Sequence, residues 1–335
     1  MFQLWLLFVA LALIIYFSGS KLAFYGDVLG EKWGVERSFI GLILLSTITS
    51  LPELGTSVSS LLWVEAPDLA VGNTLGSNLF NIAIIPLLAL LYRRAFLYRA
   101  GNQHNTTAAL INFLYGLVGL ALLVNLPLFP ARLRLDFFIS PFSIAIFIFY
   151  LGGLYFIFSE KNLPEKEKSI ALLYENKSHR QTMLVFILCA FIVIAAAAGL
   201  ARVGKTLADL TGFGDTFFGT LFFAFVTSLP EIVVSWAALK QLDSVNLALG
   251  NIFGSCLFNL TIIPLLDLIS WRKNIFAELH FSNFISVFAG IIMVSLASYA
   301  IHVRRSTPAK KYFSLEMVLL ALSYLIALST IFLLR

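Results

Sequence analysis

The 335 residues are 59% hydrophobic and 12% charged, with a formal net charge of +5 and a mean hydropathy of +0.91. A soluble domain of this length has no core that could absorb so much apolar sequence, so composition points to a polytopic membrane protein. The positive charge forms no basic face interleaved with aromatics, which excludes a nucleic-acid binder. The two cysteines, Cys189 and Cys256, both sit inside apolar runs, which excludes a disulfide framework or a paired-cysteine metal motif.

The apolar runs are continuous rather than alternating and about 17 to 25 residues long, which predicts all-α spans rather than a barrel. The first span is expected from about Phe2 to Ser18. Nothing positive precedes it and no small-residue cleavage site follows, so it reads as a span rather than a removed signal. Gly19 and Ser20 then lead into a polar connection holding Lys21, Asp27, Glu31, Lys32, Glu36 and Arg37. The second span, about Ser38 to Trp63, contains TSLPE at Thr49 to Glu53. After a short acidic link at Glu65 to Asp68, the third, about Leu69 to Tyr92, contains GNTLGSNLFN. The fourth and fifth run from about Thr107 to Leu126 and Phe137 to Phe158. Glu160 to Arg180 is rich in Lys and Glu and divides the chain into 1–159, a linker 160–180 and 181–335. The sixth span covers about Thr182 to Leu200, continuing towards Leu210. The seventh, about Thr216 to Leu239, carries a second TSLPE, and the eighth, about Val245 to Ile269, carries GNIFGSCLFN. The ninth and tenth run from about Asn283 to Val303 and Leu315 to Leu334. The abundant phenylalanines read as lipid-facing bulk.

The two halves are a repeat. Glu53 and Glu231, Gly72 and Gly250, Asn81 and Asn259, and Pro86 and Pro264 all stand 178 residues apart, the separation of Asn78 and Cys256. Each half holds five expected spans, and an odd number makes the second copy enter the membrane from the opposite side. The expected architecture is therefore ten transmembrane helices as two inverted five-helix repeats. Lys and Arg concentrate on one set of connections, the long linker among them, so that set faces the cytoplasm and both termini face out.

TSLPE carries the chemistry. Pro52 cannot donate to the carbonyl of Ile48, nor Pro230 to that of Val226, so each helix frees backbone oxygens at membrane depth. Thr49 and Glu53, like Thr227 and Glu231, are four apart and share a face with those oxygens. Oxygen donors of mixed charge suit a hard cation such as Ca2+. In the partner helix Thr74, Asn78 and Asn81 share another polar face, and Gly72 with Gly76, and Gly250 with Gly254, have the spacing that lets helices approach closely. Two inward carboxylates need a divalent cation, monovalent cations or protons between them. Glu53 and Glu231 are the only obvious midspan carboxylates. The four histidines are scattered and are not expected to be ligands.

TSLPE followed by GNxxGSNxFN in both halves of a ten-span chain resembles the calcium/cation antiporter superfamily, closest to the prokaryotic sodium/calcium exchangers. The resemblance implies an electrogenic antiporter in a prokaryotic inner (plasma) membrane, not an enzyme, with Ca2+ and Na+ (or H+) as transported ions and no cofactor. Its partners would be those ions and the lipid bilayer. It implies Glu53 and Glu231 as central Ca2+ ligands, backbone oxygens from Thr49 and Thr227, and Ser50, Ser228, Asn78 and the neighbouring hydroxyl of Thr74 as further ion ligands. The chain departs from the family pattern at Ile48 and Val226, where glycine is usual. It departs again at Cys256, where sodium exchangers often carry an acid, and at Ile252, which replaces the hydroxyl matching Thr74. A thiol is a poor partner for a hard cation. Exchange of Ca2+ for protons is therefore an alternative to sodium, a passive channel a lesser one, and a transport-dead scaffold or sensor a further one. A channel would lack coupling and has no TVGYG-type filter here, and no HExxH or GxSxG motif supports an intramembrane enzyme.

Overall fold

A computed structural model of the chain describes residues 1–32, 40–92, 97–125, 139–159, 178–270, 274–306 and 315–334. Most of the linker 160–180 and several of the basic connections lie outside the described residues. Those described contain helices and no strand. They are α1 Phe2–Lys32, α2 Ser46–Thr49, α3 Leu51–Leu62, α4 Pro67–Tyr92, α5 Gln103–Asn125, α6 Pro141–Ser159, α7 His179–Thr211, α8 Asp215–Phe218, α9 Ala224–Thr227, α10 Leu229–Leu242, α11 Val245–Ile269, α12 Ile275–Glu278, α13 Ser282–Ser306 and α14 Leu315–Leu333.

Seven helices, α1, α4, α5, α7, α11, α13 and α14, are long and apolar enough to cross a membrane, and the bent pair Asp215–Thr227 with Leu229–Leu242 makes an eighth. The second and fifth expected spans coincide with shorter pieces, α2 with α3 and α6. Exposed Phe2, Phe17, Ile148, Phe191, Leu184 and Ile326 give the apolar exterior that a bilayer requires.

One expectation is corrected at the first span, which does not stop at Ser18. Alpha-helical backbone runs on through Gly19 and Ser20 to Lys32. Leu22, Ala23, Gly26, Val28 and Leu29 are buried along this extension while Lys21 and Phe24 are exposed. The supposed polar connection as far as Lys32 is thus an amphipathic continuation whose apolar stripe packs inward, while Glu36 and Arg37 lie outside the described residues. Gly19 stays because a Cβ there would lie 2.7 Å from the ring of Pro230.

The TSLPE segments break their helices as expected. Ile40–Leu45 and Gly219–Phe223 are wound as π-helix, a wider turn that frees hydrogen-bonding groups. Each is followed by one short helical turn and a break at Ser50 or Ser228, with φ,ψ of −88°, 9° and −89°, 8°. Each proline then occupies the first turn of the next helix, where its missing N–H costs nothing. In the second half the two pieces meet at 41°.

Helices α4 and α11 form the centre and are the most deeply buried of the long helices. Their glycines admit the broken segments at backbone contact. A Cβ on Gly72 would lie 2.8 Å from the Thr216 carbonyl oxygen, and one on Gly254 2.7 Å from Ser46 Oγ. Against this centre pack α5 and α13, while α1 and α7 pair with each other along the outside. The phenylalanines are not all lipid-facing. Phe218, Phe223 and Phe253 are fully buried, and Phe8, Phe218, Phe222 and Phe223 cluster with Trp5 where α1 meets α8 and the π-turn. They fill the wedge beside the broken helix, which a sequence pattern of uniform apolarity does not reveal.

Candidate cation site

Glu53 and Glu231 each stand one turn past a break, fully buried. Each is held by the other half. Ser228 Oγ donates to Glu53 Oε1 at 2.8 Å, and Ser50 Oγ donates to Glu231 Oε1 at 3.3 Å. Thr227 and Ser77 also lie within reach of the Glu53 carboxylate, and Thr49 and Ser255 within reach of Glu231, Ser255 Oγ at 3.3 Å. Oε2 of both glutamates is buried and has no hydrogen-bond partner among the described residues. An ionised carboxylate oxygen in that position requires a cation or a proton. The two carboxylates are close enough for their charges to interact.

A second layer of amides fixes these groups, again reciprocally. Asn73 Nδ2 donates to the Glu53 carbonyl at 3.2 Å and to Ser57 Oγ at 2.9 Å, and Asn251 Nδ2 donates to the Glu231 carbonyl at 3.5 Å and to Ser235 Oγ at 3.1 Å. Asn73 Oδ1 accepts from Thr227 Oγ1, and Asn251 Oδ1 accepts from Thr49 Oγ1, both at 3.3 Å. Each amide thus spends its N–H groups on its own half and its oxygen on the other. The partners absorb the cost of burying them.

Of the residues expected at the site, Glu53, Glu231, Thr49, Thr227, Ser50 and Ser228 come together. Thr74 and Asn78 lie elsewhere in the hydrogen-bond pattern. Thr74 Oγ1 bonds the Ala70 carbonyl at 3.0 Å and Ser57 Oγ at 3.1 Å. Asn78 Nδ2 donates to the Cys256 carbonyl at 3.0 Å, and Cys256 Sγ donates back to the Asn78 carbonyl at 3.7 Å, so this pair ties α4 to α11 where they cross. Sequence reasoning missed Asn73, Asn251, Ser57, Ser235, Ser77 and Ser255. The available signal was identical polar residues at the repeat offset. It also missed a third buried carboxylate, Asp267 near the end of α11. That group accepts from Ser140 N at 2.8 Å, Ser143 Oγ at 2.7 Å and Ile275 N at 3.3 Å, so it is satisfied and caps the start of α6. No group of three or more His, Cys, Asp or Glu that could hold a metal occurs among the described residues. The donors for any cation are two carboxylates surrounded by hydroxyls and amides, which suits a hard ion.

Apolar helices around a central, hydroxyl-rich pair of buried carboxylates define an integral membrane protein. Residues 3–156 and 182–333 match the family described as "Sodium/calcium exchanger protein", and the chain belongs to that family. It is 27% identical over 267 residues to the inner membrane protein YrbG of Escherichia coli (strain K12), covering 77% of each chain. It is 24% identical over 263 residues to the sodium/calcium exchanger MaX1 of Methanosarcina acetivorans, covering 71% of this chain and 74% of that one. In fold it resembles the solved structure of the H+/Ca2+ exchanger CAX, with a TM-score of 0.66 at 13% identity over 98% of this chain and 88% of that one. It also resembles the sodium-calcium exchanger NCX_Mj, with a TM-score of 0.59 at 20% identity over 98% and 99%. The chain is thus a membrane antiporter of the sodium/calcium exchanger family.

Proposed function

We propose that this chain exchanges Ca2+ for Na+ by alternating access, with the ions bound between Glu53 and Glu231. The observation that carries the reading is the exchange of serines. Each glutamate has one oxygen held by the opposite half and its other oxygen unpartnered, so a cation is bound only when both halves close on it. Thr49, Thr227, Ser50 and Ser228 surround that position, with Asn78 and Thr74 further along α4. The reciprocal contacts support two related halves, 1–159 and 181–335 joined by a linker at 160–180; in this reading they are inverted repeats of ten spans in all, with the Lys and Arg bias putting both termini outside and the linker in the cytoplasm.

In proteoliposomes, an outward Na+ gradient should drive calcium-45 uptake, and Glu53→Gln or Glu231→Gln should abolish it. Normal uptake in both variants would remove the glutamates from the mechanism. Reversing the gradient should reverse the flux, which a passive channel would not do.

A second reading, protons as counter-ion, is favoured by one observation. Cys256 stands where many sodium exchangers carry an acid, and its Sγ donates to a carbonyl, so it is a neutral thiol that adds no charge for additional Na+. Uptake driven by a proton gradient without Na+ would establish it.

A further inference from the structure

The two glutamates sit in equivalent frames that are held unequally. Hydrogen bonds around Glu53 have counterparts at the repeat offset around Glu231, and each of the following is longer in the second half. Ser228 Oγ meets Glu53 Oε1 at 2.8 Å, against 3.3 Å for Ser50 Oγ and Glu231 Oε1. Asn73 Nδ2 meets the Glu53 carbonyl at 3.2 Å and Ser57 Oγ at 2.9 Å, against 3.5 Å and 3.1 Å for Asn251 with the Glu231 carbonyl and Ser235 Oγ. Ser57 Oγ meets the Ala70 carbonyl at 3.0 Å, against 3.4 Å for Ser235 Oγ and the Ala248 carbonyl. Such bonds usually span about 2.7–3.2 Å from a nitrogen and about 2.5–3.0 Å from a hydroxyl. Every one of the first-half bonds falls within those ranges, and only the Asn251–Ser235 bond does so in the second. The bonds from Thr227 to Asn73 and from Thr49 to Asn251 are equal, at 3.3 Å.

Glu, Ser, Asn and Ala recur at each of these positions, so they do not account for the difference. The exception is Thr74, whose counterpart is Ile252. Thr74 Oγ1 donates to the Ala70 carbonyl at 3.0 Å and lies 3.1 Å from Ser57 Oγ, so the Ser57 hydroxyl has two acceptors within reach and is held where Asn73 donates to it. Asn73 is fixed in turn, with Nδ2 on the Glu53 carbonyl and Oδ1 accepting from Thr227 of the other half. Ile252 is as fully buried as Thr74 and offers no hydroxyl, which leaves Ser235 with the Ala248 carbonyl as its acceptor among the described residues. Thr74 thus acts on the site through Ser57 and Asn73, as linked hydrogen bonds orient one another.

We infer that Thr74 is a positioning residue that makes the Glu53 side of the site rigid, and that Ile252 leaves the Glu231 side compliant, so that the site admits divalent cations larger than Ca2+ as well as Ca2+ itself. The inference rests on both glutamates as cation ligands. Selectivity among hard cations follows from cavity size, ligand number and flexibility. The rigid side sets a ligand distance, and the compliant side yields to a wider ion of the same charge.

Ba2+ is the probe, because it has the charge of Ca2+ and a larger radius. Purified full-length protein in detergent is titrated calorimetrically with each ion, and the ratio of the two affinities is compared between variants. Wild type is expected to bind both, and wild type that binds Ca2+ but no Ba2+ overturns the inference. Thr74→Val keeps the shape and removes the hydroxyl; it should lower the preference for Ca2+ over Ba2+ about fivefold, the effect of one hydrogen bond. Thr74→Ser should keep the wild-type ratio, and Ile252→Thr should raise it. A merely structural role for Thr74 would weaken both ions alike, and an unchanged ratio in Thr74→Val overturns the inference. If Thr74→Val does not fold, Ile252→Thr decides, and an unchanged ratio there overturns it. Glu53→Gln that still binds Ca2+ overturns the reading of the glutamates, whereas an unchanged ratio beside a Glu53→Gln that binds none overturns the inference alone.

Discussion

The site depends on a few hydrogen bonds that cross between halves. Ser228 Oγ meets Glu53 Oε1 at 2.8 Å, whereas Ser50 Oγ meets Glu231 Oε1 at 3.3 Å and shares that oxygen with Ser255. A hydrogen bond to a charged group contributes about 1.5–3 kcal/mol. Ser228→Ala should therefore weaken Ca2+ binding about tenfold or more, and Ser50→Ala by less because Ser255 remains. Calorimetry on purified protein reads both, and unchanged affinity in Ser228→Ala would take that serine out of the site. The six clustered residues were legible because they sit inside a motif that occurs twice. Asn73 was harder to find. Thr74 and Asn78 share a helical face in the sequence, but in the folded chain it is Asn73 that reaches the Glu53 carbonyl, while Thr74 reaches only Ser57 and the Ala70 carbonyl.

Among the helices, close approach matters most. A Cβ on Gly76 would collide with the backbone of Thr220, and one on Gly254 with the Leu42 carbonyl; backbone cannot move aside as a side chain can. Gly76→Ala should destabilise the protein by about 1–3 kcal/mol. Gly116→Ala on α5, where a Cβ meets nothing within 4 Å, should be neutral or better. Thermal unfolding in detergent compares the two, and equal midpoints would contradict the packing. Gly72 and Gly76 were readable from their spacing, although what packs on Gly76 is a π-wound turn, and on Gly72 the short α8 before it, rather than one long regular helix. The length of α1 was not readable. Charged residues at its end suggested a loop, and only tertiary contact, with α7 and with the broken segments, buries the stripe of Leu22, Ala23, Val28 and Leu29 between them.

The whole molecule adds sidedness. Asp215 begins the broken span that Leu242 ends, so the Lys205–Asp209–Asp215 ion-pair cluster and Lys240 lie at its opposite ends. With Cys189 and Cys256 replaced by serine, Asp209→Cys should react with an impermeant maleimide from outside the cell, and Lys240→Cys only after the membrane is opened. The reverse pattern would invert the proposed orientation. Composition and hydropathy by themselves determined that the chain lives in a bilayer, because continuous apolar runs have no other stable use. The repeated TSLPE determined where the carboxylates lie, because proline and glutamate at membrane depth carry a cost that only partners can offset. The tertiary structure alone decided which partners those are. The serine of each half serves the glutamate of the other, and Asn78 and Cys256 bind one another's backbone, because these contacts depend on how two helices distant in sequence cross, and no spacing within either half encodes that.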